Sequence, residues 1–136
     1  MSPASVTVNV DGGARGNPGP AAIAAVVRGP DGEILEEAGE AIGEATNNVA
    51  EYRALLLGID RARAHGAGEV KLLGDSELVV RQVQGRYKVK DANLRAYHAE
   101  VREALKGLAS WSIDHVRRER NADADRIVNE VLDGLR

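Results

Sequence analysis

Four acidic residues lie where a carboxylate could do chemistry: Asp11, Glu51, Asp75 and Asp125. Asp11 follows the alternating run SVTVNV and Asp75 follows the apolar run EVKLLG, while Glu51 and Asp125 fall in predicted helices. Four carboxylates in one site would repel one another unless cations neutralised them. Because the chain has no cysteine, such an oxygen-only site favours Mg²⁺ or Mn²⁺. Spacing alone does not establish that the four residues converge.

Three of these residues also have a structural interpretation. Asp11 stands before a glycine, which is a common way to open a turn. Glu51 could close a capping box with Asn48, and Asp75 could be the N-cap of the helix that follows it. The local sequence leaves both interpretations open at all three positions.

The last predicted helix offers two aspartates, which periodicity separates. Asp125 shares a face with Val128 and Leu132, whereas Asp123 lies on the charged side of the helix with Arg126. A carboxylate on an apolar face is costly unless its charge is compensated. We therefore take Asp125 as the candidate for chemistry and Asp123 as a solvated residue.

Composition limits the class of protein. A chain of 136 residues with 43% hydrophobic residues is expected to form one domain, residues 1–136, with a real core. The absence of cysteine and of any apolar stretch near the roughly 20 residues that span a bilayer predicts a soluble, cytoplasmic protein without membrane association. The net charge of −3 and the 3% of aromatic residues exclude overall attraction to nucleic acid and an aromatic base-stacking platform.

The strands and helices that must position these four carboxylates can be predicted from hydrophobic periodicity, which gives the order βββαβααβα. The predicted strands are 5–10, 21–29, 33–42, 69–74 and 111–118. A helix is predicted in the segment that begins at Thr46, with Gly66 or Gly68 as its end, and further helices are predicted in 76–85, 93–108 and 121–136. The first three strands form an antiparallel meander, and the later strands are joined through helices, so we expect a mixed sheet with helices on its faces.

Four motifs carry a family resemblance when taken in order: DGGARGNPGP, TNNVAEYRALLLGI, GDSELVV and NADADRIVN. Together they resemble ribonuclease H of type 1 over nearly the whole chain. The resemblance implies an α/β, ribonuclease H-like fold with a five-stranded mixed sheet in the order 3-2-1-4-5. Strands 1 to 3 would be antiparallel, strands 4 and 5 would run parallel to strand 1, and helices would cover both faces.

The resemblance also implies the reaction and its cofactors. The family has an acidic residue at each of the four positions, so the implied catalytic residues and metal ligands are Asp11, Glu51, Asp75 and Asp125. Two Mg²⁺ ions, or Mn²⁺ as a substitute, would bind among them. The implied activity is endonucleolytic hydrolysis of the RNA strand of RNA–DNA hybrids, leaving 5′-phosphate and 3′-hydroxyl ends.

Hybrid-binding residues are implied in the same way. The backbone of the glycine loop would approach the RNA, the asparagines would contact the minor groove, and the threonine would help to hold a DNA phosphate. These residues are Gly12, Gly13, Gly16, Asn17, Thr46, Asn47 and Asn48. Helix capping and turn formation are the structural alternatives for the asparagines and the threonine.

The chain departs from the best-known members of this family at a catalytic loop. Those members carry a histidine before the last helix, whereas the connection HVRRERNADAD is too short for such a loop. His115 lies in a predicted strand and is interpreted as structural. The chain resembles the shorter branch without the histidine, where Arg117, Arg118 or Glu119 would partly substitute.

The basic protrusion of some family members is also missing. In its place is a cluster of Arg81, Arg86, Lys88, Lys90 and Arg95. A solvated charged face is the ordinary interpretation of such a run. Because the chain is acidic overall, we predict that this cluster, with Lys88 and Lys90 in particular, binds hybrid phosphates.

Alternatives to a ribonuclease H remain. The chain could be a non-catalytic hybrid-binding module, the nuclease domain of a larger bifunctional protein, or another enzyme of the same fold such as a DNA exonuclease or a recombinase. The four retained carboxylates favour catalysis, because a binding module has no use for mutually repelling charges. We expect a monomer without a protein partner.

Overall fold

The computed structural model describes residues 5–136. Its strands are β1 Ser5–Ala14, β2 Gly19–Arg28, β3 Ile34–Ala45, β4 Glu69–Gly74 and β5 Ser110–His115. Its helices are α1 Asn47–Ala64, α2 Glu77–Val83, α3 Ala92–Lys106 and α4 Ala122–Leu132, with a 3₁₀ turn, Arg118–Asn121, before α4. Within these residues no helix combines the length and the apolar composition that crossing a membrane requires.

The five strands form one mixed sheet in the order β3-β2-β1-β4-β5. Strand β1 pairs antiparallel with β2 and parallel with β4, β2 pairs antiparallel with β3, and β4 pairs parallel with β5. The predicted strand order and the directions of the strands are confirmed. Strand β1 is therefore central and has a hydrogen-bonded neighbour on each side.

Both faces of the sheet carry helices, as predicted. The alternating residues Val6, Val8 and Val10 of β1 are buried in one core with residues of α1, α2 and α3. On the opposite face a smaller core joins Ala22, Ala24 and Val26 of β2 to Ile127 and Val128 of α4. Because side chains alternate along a strand, Asp11 lies on the α4 face of the sheet.

Several element ends differ from the sequence prediction, and three of these differences bear on the site. Strand β1 continues beyond Asp11, which pairs with Ala24 of β2, so Asp11 is a strand residue and its interpretation as a turn residue is wrong. Strand β5 ends at His115 because the chain then enters the 3₁₀ turn, whose last residue, Asn121, is buried against β1. Helix α4 ends at Leu132, and Gly134 follows it with a φ of +72°.

Candidate active site

An acidic pocket lies where β1 and β4 end and α1 and α4 begin. Asp11, Glu51 and Asp75 each offer one carboxylate oxygen, and these three oxygens lie within 4.8 Å of one another. Asp125 lines the same open pocket, which has a volume of about 480 Å³. The structure thus brings together the four carboxylates that were predicted from sequence.

Strand register explains why two of these residues meet. Val10 of β1 pairs in parallel with Gly74 of β4, so Asp11 and Asp75 follow neighbouring positions at the same edge of the sheet. Adjacent strands are about 5 Å apart, which is the distance over which two carboxylates can share a cation. The two aspartates therefore become neighbours through pairing that connects distant parts of the sequence.

Glu51 enters the pocket because α1 passes very close to β1. The backbone N–H of Gly12 donates a hydrogen bond of 2.6 Å to Oε1 of Glu51. A Cβ atom at Gly12 would lie 2.3 Å from the carbonyl oxygen of Ala50, so only glycine permits this approach. The missing side chain of Gly12 makes room for α1.

Other residues cap the helices, so the capping interpretations of Glu51 and Asp75 are wrong. The N-cap of α1 is Thr46, whose hydroxyl accepts the N–H of Val49 at 3.2 Å. The N-cap of α2 is Ser76, which lies one residue after Asp75. Both carboxylates are therefore left to face the pocket.

Burial and mutual repulsion raise the pKa values of the central carboxyl groups. Burial first, and then the charges of Asp75 and Asp125, raise the pKa of Asp11 to about 8, while the guanidinium of Arg118 opposes this shift. Burial, followed by the charges of Asp11 and Asp75, raises the pKa of Glu51 well above its ordinary value. A divalent cation would relieve this repulsion, and the all-oxygen donor set suits a hard cation.

The two aspartates of α4 have different surroundings. Asp125 is half-buried on the pocket wall with Val128 and Leu132. Asp123 is also half-buried, and it accepts a hydrogen bond from the guanidinium of Arg28. The Asp123 side chain is 43% exposed and lies 4.0 Å from Arg126 on the charged side of the helix, as predicted, and it is in addition an ion-pair partner of Arg28.

The predicted hybrid-binding loop is tied to the start of α1. Oδ1 of Asn17 accepts the N–H of Asn47 at 3.0 Å, and Oδ1 of Asn47 accepts the N–H of Ala14 at 2.9 Å. Gly16 has a φ of +100°, a conformation that favours glycine, whereas Gly13 lines the pocket. Asn47 and Asn48 also line the pocket, next to the capping Thr46.

The predicted basic cluster lies apart from the acidic pocket. Its residues do not line that pocket, and two of them make internal contacts. Arg81 pairs with Glu77, and Arg95 donates hydrogen bonds to the carbonyls of Val89 and Lys90. Exposed basic side chains remain on the segment between α2 and α3, at Arg86, Lys88 and Lys90.

Sequence reasoning missed several residues at the pocket. Arg15, Ser76 and Asn129 line it, and Arg15 links the glycine loop to α4 through Asp133 at 2.6 Å. The buried Asn121 donates a hydrogen bond to the carboxylate of Asp75. The sequence signal that could have identified Asn121 is its position in the motif NADADRIVN, one helical turn before Asp125.

Comparisons with known proteins agree with this geometry. Residues 9–131 match the family model described as reverse transcriptase-like. The ribonuclease HI of Halobacterium salinarum is 46% identical over 123 residues, covering 90% of this chain and 62% of that protein. A crystal structure of RNase H1 from the same archaeon has a TM-score of 0.94 at 45% identity, covering 96% of this chain and 98% of that one.

Two further similar proteins are a longer bifunctional protein and an RNase H1 whose structure contains an RNA/DNA hybrid. The bifunctional protein Rv2228c of Mycobacterium tuberculosis is 45% identical over 129 residues, covering 94% of this chain and 35% of that protein. LC11-RNase H1 in complex with an RNA/DNA hybrid has a TM-score of 0.91 at 41% identity, covering 96% of this chain and 98% of that one. The chain thus spans less than two thirds of the length of these curated relatives.

The sheet order and the acidic edge are those of a ribonuclease H-like domain. The chain belongs to the reverse transcriptase-like family and, within it, to the ribonucleases H of type 1. The resemblance inferred from the four sequence motifs is confirmed.

Proposed function

We propose that this protein is a metal-dependent endoribonuclease that hydrolyses the RNA strand of RNA–DNA hybrids and leaves 5′-phosphate and 3′-hydroxyl ends. The observation that carries the proposal is the group of three carboxylate oxygens within 4.8 Å of one another, with Asp125 on the wall of the same pocket. The similarity to LC11-RNase H1, whose structure contains an RNA/DNA hybrid, supports the choice of substrate.

The proposed ligands of two Mg²⁺ ions, with Mn²⁺ as a substitute, are Asp11, Glu51, Asp75 and Asp125. Bound metal ions of this kind activate a water and stabilise the leaving oxygen in phosphodiester hydrolysis. Asp11 is the proposed central ligand because it lies on the middle strand, where the charges of Asp75 and Asp125 both raise its pKa. The N–H of Gly12 donates to one carboxylate oxygen of Glu51 and so orients this side chain in the pocket.

The proposed hybrid-binding surface consists of the glycine loop and the start of α1. The backbone at the half-buried Gly13 and at the exposed Gly16 would approach the RNA. Asn17, Asn47 and Asn48 would read its 2′-hydroxyls in the minor groove. Gly12 contributes by admitting α1. Thr46 caps α1 and would help to hold a DNA phosphate. The hydrogen bonds of Asn17 and Asn47 hold this surface in one shape before substrate arrives.

Arg118 is the proposed replacement for the histidine that longer family members carry. It lines the pocket, and its charge opposes the rise in the pKa of Asp11. A guanidinium at this place stabilises negative charge that develops on the scissile phosphate. Arg118→Ala is expected to lower turnover about 10-fold or more; unchanged turnover and metal dependence would remove Arg118 from the mechanism.

The decisive experiment compares labelled RNA–DNA hybrid, duplex DNA and duplex RNA in Mg²⁺, Mn²⁺ or EDTA. The expected result is cleavage of the hybrid alone, with 5′-phosphate products, abolished by EDTA and by Asp11→Asn. Cleavage of duplex DNA would favour another nuclease of this fold. Hybrid binding without cleavage in either metal would favour the non-catalytic module.

The second candidate is the nuclease domain of a longer bifunctional protein. The mycobacterial relative favours it, because this chain corresponds to 35% of that protein. We propose that residues 1–136 fold as a single, soluble, monomeric domain that works in the cytoplasm and is active without a further segment. Light scattering of the isolated chain, combined with the cleavage assay, tests its monomeric state and its independent activity.

A further inference from the structure

Two buried amide side chains lie directly beneath the acidic pocket. Asn9 and Asn121 are 6% and 1% exposed, and Nδ2 of Asn9 donates to Oδ1 of Asn121 at 3.1 Å. Burying an amide costs free energy unless its hydrogen bonds are made. An apolar pair would fill this space at lower cost, so these polar groups require an explanation other than packing.

The acceptors around Asn121 determine its orientation. Its Nδ2 lies 2.8 Å from the carbonyl oxygen of Val10 and 3.3 Å from Oδ2 of Asp75. A carbonyl and an ionised carboxylate only accept hydrogen bonds. The amide nitrogen of Asn121 must therefore face both of them, and its oxygen must face a donor, which Asn9 supplies.

Arg28 orients Asn9 in turn. Nε of Arg28 lies 3.4 Å from Oδ1 of Asn9, and the same guanidinium is held by Asp123 of α4. With its oxygen facing Arg28, Asn9 directs its amide nitrogen to Asn121 and to the carbonyl of Arg120. A directed series of donors thus runs from Arg28 through Asn9 and Asn121 to Asp75.

Asn121 also determines where α4 starts. It is the last residue of the 3₁₀ turn and immediately precedes α4, and its bond to Val10 ties this point to the central strand. Asp125 lies one helical turn further on. One side chain therefore contacts one candidate ligand and fixes the helix that carries another.

We propose that Asn121, oriented by Asn9, is a positioning residue that sets the direction of the Asp75 carboxylate and the place of Asp125. The inference rests on the proposed function, because it concerns ligands of the proposed metal centre. Partners that orient metal ligands typically change metal affinity by about 10- to 100-fold when they are removed.

The test compares Asn121→Ala and Asn9→Leu with the matched control Gln84→Ala. Gln84 is likewise a partly buried amide that donates to a backbone carbonyl, that of Ile113 at 2.8 Å, and it lies outside the acidic pocket. Four quantities are measured: Tm, kcat and KM for the hybrid, the Mg²⁺ concentration giving half-maximal cleavage, and Mn²⁺ affinity by calorimetry without nucleic acid.

Both asparagine variants are expected to weaken Mn²⁺ binding and raise the half-activating Mg²⁺ concentration about 10-fold, with KM nearly unchanged. Gln84→Ala is expected to lower Tm alone. The proposal is overturned if Asn121→Ala and Asn9→Leu also lower Tm and leave Mn²⁺ affinity and the half-activating Mg²⁺ concentration unchanged. If only one of the two variants folds, its Mn²⁺ affinity and Mg²⁺ dependence decide the proposal. Absence of hybrid cleavage by the wild-type protein would refute the proposed function, while calorimetry would still decide the role of Asn121.

Discussion

Asp11 is one of two carboxyl groups whose pKa values the acidic pocket raises, the other being Glu51. Asp11 is 7% exposed, and its pKa is raised from 3.8 to about 8. A raised pKa means that the stabilising contribution of the protonated group is fully present below pH 3.8 and is lost as pH rises through about 8. Without metal, this group therefore makes the protein less stable at pH 8 than at pH 5.

Replacing Asp11 with asparagine should remove that cost. In EDTA at pH 8 we expect Asp11→Asn to be more stable than the wild type by about 1 kcal/mol, with the difference shrinking at pH 5. Mg²⁺ should stabilise the wild type and have little effect on the variant, which should be inactive. Urea unfolding at both pH values measures these differences. A variant less stable than the wild type at pH 8 would contradict the electrostatic argument.

The neighbouring glycines Gly12 and Gly13 should respond differently to the same substitution. A Cβ at Gly12 would meet backbone atoms of Ala50 at 2.3 Å, whereas a Cβ at Gly13 would lie 3.7 Å from Cγ1 of Val128. Gly12→Ala is therefore expected to destabilise the protein by about 3 kcal/mol or more. Gly13→Ala should stay within about 1 kcal/mol of the wild type while raising KM for the hybrid.

Thermal unfolding and hybrid cleavage, measured on both glycine variants, separate the two roles. Equal loss of stability in both variants would mean that α1 is free to adjust its distance from β1. An unchanged KM in Gly13→Ala would argue against a close approach of RNA to the loop.

At the scale of elements, the distance between α1 and β1 controls where Glu51 lies. Gly58 of α1 faces Val8 and Val10, and a Cβ there would lie 2.7 Å from Cγ1 of Val10. Gly58→Ala should push α1 outward and cost about 1–3 kcal/mol, partly offset by the better helix propensity of alanine. Because Glu51 moves with the helix, the half-activating Mg²⁺ concentration should rise.

Gly107→Ala is the matched control for Gly58→Ala. It follows α3, and its added Cβ would meet only the flexible guanidinium of Arg63. This control should leave the dependence on Mg²⁺ unchanged. The same Mg²⁺ dependence in Gly58→Ala would show that the helix does not transmit its displacement to Glu51.

The existence and order of the elements could be predicted because periodicity is a local property of the chain. The polar alternation of β1 indicated the face of Asp11, and the apolar face of α4 separated Asp125 from Asp123. The ends of elements could not be predicted in the same way. β5 ends where it does because the buried Asn121 binds β1, a contact between residues far apart in sequence.

The convergence of the four carboxylates likewise depends on contacts between residues that are far apart in sequence. The pairing of Val10 with Gly74 brings Asp11 to Asp75, and no local pattern contains that register. The reason for glycine at position 12 lies in Ala50 of α1, so the interpretation of Gly12 as a point of contact with RNA missed its main role. The prediction that the four carboxylates converge came from the family resemblance, because the spacing of the residues does not establish it.

At the scale of the whole molecule, opposite charges lie in different places. The chain has a net charge of −3, and four of its 21 acidic residues line one pocket. The exposed residues Arg86, Lys88 and Lys90 lie on the segment between α2 and α3. A hybrid duplex could bring its scissile phosphate to the pocket while other phosphates contact the basic segment. Hybrid affinity should then fall steeply with salt, because each neutralised phosphate releases counterions.

Lys88→Glu and Lys90→Glu should each weaken hybrid binding and reduce the slope of log affinity against log salt by about 1. Lys106→Glu has the same change in net charge at the exposed end of α3 and is the control. Titration of hybrid into inactive Asp11→Asn protein at several salt concentrations gives the slopes. A flat salt dependence, or equal effects of all three changes, would exclude the basic segment as the phosphate contact.

The acidic pocket takes one carboxylate from each of four elements, β1, α1, the end of β4 and α4. During synthesis the ribosome makes Asp11 early and Asp125 late, so a growing chain that has not yet released α4 has an incomplete set of ligands. The proposed metal centre therefore lacks one of its four ligands until α4 has docked on the sheet. Binding of Mn²⁺ at the proposed metal centre would accordingly report that α4 has docked on the sheet.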